Sequence, residues 1–228
     1  MKIVGISPHP DDIEYGAGGI LVNLSKLGYD ITLLVNEKFD KVNLHTEEKI
    51  LLRKQDTYNA AKHISANVQF FNVDNDLNSL ANIFRLLKPD IVFMPSCYET
   101  HPIHKLTHMV MSDAIHLATS PSGNIQGYQV KQLFYYETYS SSVFCPDFII
   151  DVTRVYVEAR KMLSEHIFGI KTLPSLLYKF QLNHQLRGFE ASCCYGEALI
   201  MDKQGAFSWS ENRRIGMDMI LSLYNNGT

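Results

Sequence analysis

The chain has 228 residues, with 21 Lys and Arg against 24 Asp and Glu for a net charge of −3, and 46% hydrophobic residues. That balance describes a globular chain with a real core and excludes an intrinsically disordered one, and the lack of a basic block argues against nucleic acid as a partner. Four cysteines without a CxxC pair (Cys97, Cys145, Cys193, Cys194), no signal-peptide pattern and no apolar run of membrane-spanning length give the expectation of reduced thiols in a cytoplasmic protein.

Ile3 to Ile6 is a continuous apolar run, expected to form a strand buried on both faces. Ile20, Leu21, Leu24 and Leu27 recur at helical spacing, which predicts a helix from Gly18 to Leu27 with Gly28 as its stop. Ile31 to Val35 reads as a second strand and Asn36 to Asn43 as a polar loop. A long helix from Thr46 to about Ile64 opens with Glu47 and Glu48, as the helix dipole favours. A third strand at Val68–Val73, a helix at Leu77–Leu87, a fourth strand at Asp90–Met94 and a helix at Leu106–Ala118 follow. Strand and helix alternate four times before residue 120, so the class is α/β with a mostly parallel sheet and right-handed crossovers. Further on, Gln132–Tyr136, Phe148–Asp151 and Tyr195–Met201 read as strands, and Val155–Ile167 and Ser175–Gly188 as helices. No repeat, low-complexity tract or linker interrupts residues 1–228, which read as a single domain.

The stretch His9-Pro10-Asp11-Asp12-Ile13-Glu14, directly after the first strand, packs one imidazole and three carboxylates into six residues. Carboxylates that close repel one another unless a cation or hydrogen-bond donors offset the charge. A divalent metal fits, with a further ligand from His101-Pro102-Ile103-His104, which follows the fourth strand. Asp74 falls past the third strand. In open α/β sheets the ligand site lies beyond the carboxyl ends of the strands, and all these residues share that edge. Asp and His both bind zinc, and three protein ligands with an open position mark a catalytic site. With two adjacent aspartates and two histidines, one of each can ligate while the other works as base or acid. The plainer alternative is that Asp11 and Glu14 cap the next helix.

Gly16, Gly18 and Gly19 miss the GxGxxG spacing of a dinucleotide loop, and carboxylates at that helix entrance would repel a pyrophosphate. These glycines are expected to let backbone segments pack closely. His45, His63, His108, His116, His166 and His184 read as surface or core residues, with His108 a candidate neighbouring ligand. Ser140 to Ser142 lacks a nucleophile-elbow context. Arg53 either stays at the surface or reaches the site, oriented by Asp56 three residues on.

With these residues the chain resembles the PIG-L or LmbE-like family of zinc-dependent N-acetylglucosaminyl de-N-acetylases. Pro8 to Glu14 with Gly18-Gly19 matches the family's opening His-Pro-Asp-Asp-x-Glu motif. Arg53 and Asp56, Asp74, His101 to His104, Tyr136-Glu137, Pro146-Asp147, Asp151-Val152-Thr153, Arg187-Gly188 and Gly196-Glu197-Ala198 extend the likeness along the chain. The resemblance implies a Rossmann-like three-layer sandwich in which His9, Asp12 and His104 bind Zn2+. It implies that Asp11 is the general base and that His101 stabilises the oxyanion or protonates the leaving amine. It implies that Arg53 and Asp74 contact sugar hydroxyls. The substrate it implies is an N-acetylated amino sugar, free or in a glycoconjugate.

Three departures stand out. Ile103 replaces the aspartate of the family's usual His-Pro-Asp-His, which leaves His101 to find another partner such as Glu99. Asn36-Glu37-Lys38-Phe39 stands where the family has Thr-x-Gly-Glu, and a Ser-Gln pair is missing near Phe168-Gly169. The Ile103 change motivates an alternative, a metal-binding family member that has lost catalysis and serves as a sugar-binding or scaffold protein. Specificity is expected in the loops at 36–46, 119–130 and 139–147. A homo-oligomer is compatible with the sequence, and Tyr135, Tyr136 and Phe144 are the expected self-association face.

Overall fold

Alternation along the first strand sets out the layers. In β1 (Lys2–Ser7) Ile3 enters one apolar cluster while Val4 and Ile6 enter another, because successive side chains of a strand point to opposite faces. A strand apolar on both faces needs helices on both. The computed structural model describes residues 1–37, 47–203 and 211–227. His45, Thr46 and most of the loop expected over 36–46 lie outside the described residues.

In chain order the elements are β1, α1 (Asp12–Lys26), β2 (Asp30–Asn36), α2 (Glu47–Lys62), β3 (Asn67–Phe71), α3 (Leu77–Leu87), β4 (Ile91–Pro95) and α4 (Pro102–Ala118). They continue with β5 (Gln132–Tyr136), β6 (Phe148–Asp151), α5 (Tyr156–Ser164), α6 (Ile167–Thr172), α7 (Leu176–Glu190), β7 (Gly196–Met201) and α8 (Glu211–Gly227). The sheet runs β3-β2-β1-β4-β5-β7-β6, and among the described strands β7 alone runs opposite to the rest. The chain winds outward from β1 to β3, then returns to place β4 on the other side of β1. The seam between β1 and β4 is therefore the switch point where doubly wound sheets bind ligands.

On one face of the sheet, residues of α1, α2 and α8 close a cluster that includes Ile20, Leu24, Ala60, Met219 and Leu223. On the other, α3 and α4 supply Leu80, Phe84, Met111 and Ile115. A third cluster of Tyr15, Tyr156, Leu163, Leu176 and Phe180 joins α1, α5 and α7.

Several boundaries differ from the sequence expectation, each for a physical reason. Helix α1 starts at Asp12, well before Gly18, because its first turns are buried all round and show no amphipathic period. It is two helical pieces meeting at a kink, where Ala17 has φ −145° and ψ 19°. A kink deprives the next turn's N–H groups of carbonyl partners, and Glu197 of β7 accepts those of Gly19 (2.7 Å) and Ile20 (2.8 Å). Gly16 is required by close approach, since a Cβ there would lie 2.3 Å from the Glu137 carbonyl oxygen.

Helix α4 starts at Pro102 rather than Leu106, with proline in the first turn, where its missing N–H is harmless. The helix expected over 155–167 breaks before His166, giving α5 and the short α6. Helix α8 has no counterpart in the sequence expectation, yet Met219, Ile220 and Leu223 are buried core. The expected self-association face is also absent. Tyr136 is fully buried and donates to the Ile6 carbonyl (2.7 Å), Phe144 is buried beside the Arg187 guanidinium, and Tyr135 is half-buried against His108.

Candidate metal centre

Ser7 ends β1 and shapes the turn that follows. Its hydroxyl donates to the His9 carbonyl (2.5 Å) and accepts from the Ile13 N–H (3.1 Å). Asn36 at the end of β2 braces the same loop, donating to the Pro8 carbonyl (3.2 Å) and accepting from Val73 N–H (3.3 Å). The loop delivers His9 and Asp12 to the β1–β4 seam, and the first turn of α4 delivers His104 from the other side.

These three side chains converge on a triangle. His9 Nδ1 lies 3.1 Å from Asp12 Oδ2, His104 Nε2 lies 3.0 Å from the same oxygen, and the two ring nitrogens are 3.0 Å apart. Three edges at hydrogen-bond length need three protons, but these two nitrogens carry at most one each. One contact is therefore always uncompensated, while Asp12 Oδ1 is buried without a hydrogen-bond partner among the described residues. A tetrahedral ion with ligands at about 2.0–2.1 Å spaces them about 3.3 Å apart, a few tenths of an ångström more than here. The donor set fits a zinc ion capping the triangle.

Glu99 sets the tautomer. It accepts from His104 Nδ1 (3.0 Å) and from the hydroxyls of Thr138 (2.7 Å) and Ser141 (2.6 Å). With the proton held on Nδ1, His104 presents a lone pair at Nε2, as a ligand must. Without an ion, burial works against the charged imidazole, but Asp12 and Glu99 outweigh it and push His104 up to about 10. Asp12 is held far below the usual carboxylate range by His104 and His9, against the opposing effect of burial.

Asp11 stands beside the triangle, buried, with φ 129°. Burial and the neighbouring Asp12 push its carboxyl up to about 6, against Arg53, His166 and His9. Asp11 is the N-cap residue of α1, but its side chain makes no capping hydrogen bond, so the plain capping role does not account for it. His101 occupies the N-cap position of α4, half-buried, with its ring centroid 4.9 Å from His9 and 4.7 Å from His104. The rings of His9, His101 and His104 also offer ligand nitrogens within 4.8 Å of one another, a second, looser set. Arg53 reaches in from α2, buried, with its guanidinium 5.3 Å from the Phe168 ring.

Asp74 lies past β3 at the same sheet edge but is exposed, outside the buried cluster. His108 turns toward β4, with Nδ1 3.0 Å from the Pro95 carbonyl, away from the role of neighbouring ligand. Glu99, suggested as a partner for His101, instead holds His104, because it lies level with the first helical turn. The sequence pattern gives Thr138 no role and rules out Ser140 and Ser141 as nucleophiles; in the fold they serve Glu99. Nor does it single out His166, which is buried against Glu14 with Nε2 3.2 Å from Oε1. An acid two residues before His101 is the one available signal for Glu99. The others come from distant segments that only the topology brings near.

Residues 4–115 match the sequence profile of the PIG-L family, described as GlcNAc-PI de-N-acetylase. By structure the chain is similar to GalB, the 4-carboxy-2-hydroxymuconate hydratase of Pseudomonas putida KT2440, with a TM-score of 0.75 and 19% identity over 88% of this chain and 95% of that one. It is similar to the N,N'-diacetylchitobiose deacetylase of Pyrococcus horikoshii, with a TM-score of 0.74 and 18% identity over 94% and 88%. The conserved protein TT1542 of Thermus thermophilus gives 0.74 and 21% identity over 87% and 93%. Identities this low establish the shared fold. The profile match spans His9, Asp11, Asp12, Glu99, His101 and His104, so residues 4–115 carry the likeness of this chain to the PIG-L family.

Proposed function

We propose that the protein is a zinc-dependent hydrolase that removes an N-acyl group, acetyl foremost, from an amino sugar of the N-acetylglucosamine type. The observation that carries this reading is the closed triangle of His9, Asp12 and His104 with the buried Asp11 carboxylate at its side. The PIG-L profile and the deacetylase likeness support it. His9, Asp12 and His104 would hold the ion, the tighter of the two donor sets. Zinc, when bound, supplies a Lewis acid and lowers the pKa of water from 15.7 to about 7.

Asp11 accepts a proton from the attacking water as the water oxygen bonds to the acyl carbon. His101 donates a hydrogen bond where negative charge develops on the acyl oxygen, and protonates the nitrogen as the C–N bond breaks. The products are a carboxylate and a free amine. Arg53 and Asp74 hold sugar hydroxyls, Arg53 deep beside the base and Asp74 at the rim.

The test is amine release by zinc-loaded protein across a panel of N-acetylglucosaminides. Turnover on any member supports the reading and identifies the substrate class. A second reading, water addition to an unsaturated acid, has the fold likeness to the hydratase in its favour. Conversion of such an acid with no amine release from any amide would move the assignment there. Absence of both, in protein holding one zinc, would favour a binding or scaffold role. Among the described residues no helix is long and apolar enough to cross a membrane.

A further inference from the structure

Asp11 holds a backbone conformation that L residues rarely adopt, and such strain persists only where the surroundings over-determine it. From below, the loop contributes two hydrogen bonds: Asp12 N–H to the His9 carbonyl (3.3 Å) and Tyr15 N–H to the Asp11 carbonyl (2.9 Å). From above, α6 closes on the side chain. A Cβ built on Gly169 would lie 2.4 Å from Asp11 Oδ2, so the glycine backbone stands directly against the carboxylate.

Helix α6 is itself fastened to two other helices. Phe168 N–H donates to Asp56 Oδ2 of α2 (3.1 Å). His166, the residue before the helix, sets Nε2 3.2 Å from Glu14 Oε1 of α1, and both side chains are 1% exposed. A buried acid and imidazole depend on each other for compensation. Glu14 Oε2 and both ring nitrogens of His166 make no hydrogen bond among the described residues, so what ties this junction is the charge contact of 3.2 Å between Nε2 and Oε1.

We propose that His166 and Gly169 form a clip that positions Asp11. His166 anchors α6 to Glu14, and Gly169 brings the backbone of α6 against the carboxylate. Neither takes or gives a proton in the reaction, so both are positioning residues. The inference rests on reading Asp11 as the base, and it names the segment that aims it. An alanine at Gly169 must push the carboxylate aside or lift α6, and a misplacement of about 1 Å near the chemistry can lower turnover about 100-fold.

The experiment compares zinc-loaded wild type with Gly169→Ala, His166→Ala, His166→Gln and, as a control on the same helix, the exposed Ile167→Ala. Amine release and crystal structures are the readouts. Gly169→Ala is expected to lose about 100-fold in kcat with KM within threefold, unchanged zinc content and a displaced Asp11 carboxylate. His166→Ala should fall in the same direction, His166→Gln, whose amide can donate to Glu14, should recover to within about tenfold of wild type, and Ile167→Ala should match wild type.

A Gly169→Ala protein with wild-type kcat and an unmoved Asp11 overturns the clip. So does a folded His166→Gln as impaired as His166→Ala. If wild type releases amine from no substrate, the hydrolase reading fails instead, and the position of Asp11 in the Gly169→Ala crystal decides the clip alone.

Discussion

His104 has two ring nitrogens with different partners, and most of the chemistry of the centre follows from that division. Glu99 takes the Nδ1 proton and leaves Nε2 to face Asp12 and His9. Removing such an outer partner lowers metal affinity by about 10–100-fold, so Glu99→Ala should bind zinc that much more weakly in a chelator competition while remaining folded. Asp11→Asn should keep the zinc and lose about 100-fold or more in kcat, since the amide cannot accept the proton. Amine-release kinetics on metal-replete protein check this, and full activity in Asp11→Asn would remove Asp11 as base. At this scale the sequence shows what lies close together in the chain. His9, Asp11 and Asp12 fall in one loop, and His101 and His104 share one turn. Thr138, Ser141 and His166 are invisible as partners because strand order, not spacing, brings them to the site.

Helix α1 carries the loop residues, and its kink is held by a side chain of β7. The Glu197 carboxylate accepts two backbone N–H groups after Ala17 and lies 3.0 Å from His184 Nε2, with His184 Nδ1 set against the Phe180 carbonyl (2.8 Å). Glu197→Ala leaves those buried groups without their acceptor. It should destabilise the protein by about 3 kcal/mol, read as a lower denaturation midpoint, with a Tm lower by about 6–12 °C at this chain length. A change below about 1 kcal/mol would contradict the account of the kink. The strands and most helices are legible from apolar runs and period. The first turns of α1 and of α4 are not, because buried residues such as Asp12, Glu14 and His104 break the apolar pattern on which helix reading depends. Helix α8 escapes the sequence reading although its apolar residues enter the core.

Across the whole molecule, the centre sits where the sheet changes winding direction, so α1 and α4 approach it from opposite sides of β1 and β4. Its charges link stability to pH in the metal-free protein. Asp11, raised to about 6, disfavours the folded state above that pH, and the penalty is relieved as pH falls from about 6 toward 3.8. His104, raised to about 10, contributes stability that is complete below 6.5 and lost as pH rises through 10. Asp12, depressed, contributes stability present above 3.8 and lost as pH falls through its lowered folded value. Metal-free protein should therefore be most stable near about pH 4, weaken toward about pH 6 as Asp11 ionises in the unfolded chain, and lose further Tm from about pH 7 to 9 as His104 loses its advantage. Zinc held as proposed would take the place of the proton on His104, so the Tm gained on adding it should grow across the same range. Thermal melts of chelated and zinc-loaded samples at about pH 5, 7 and 9 test both trends, and a zinc-conferred gain that shrinks with pH would contradict them.

The most direct test of the centre is the zinc content of four purified variants, His9→Ala, Asp12→Ala, His104→Ala and His101→Ala, measured beside wild type. The triangle predicts about one zinc per chain for wild type and His101→Ala, and almost none for the other three. Zinc retained by Asp12→Ala and lost by His101→Ala would show that the looser trio of histidines holds the ion, and the assignment of His101 as acid would fall with it.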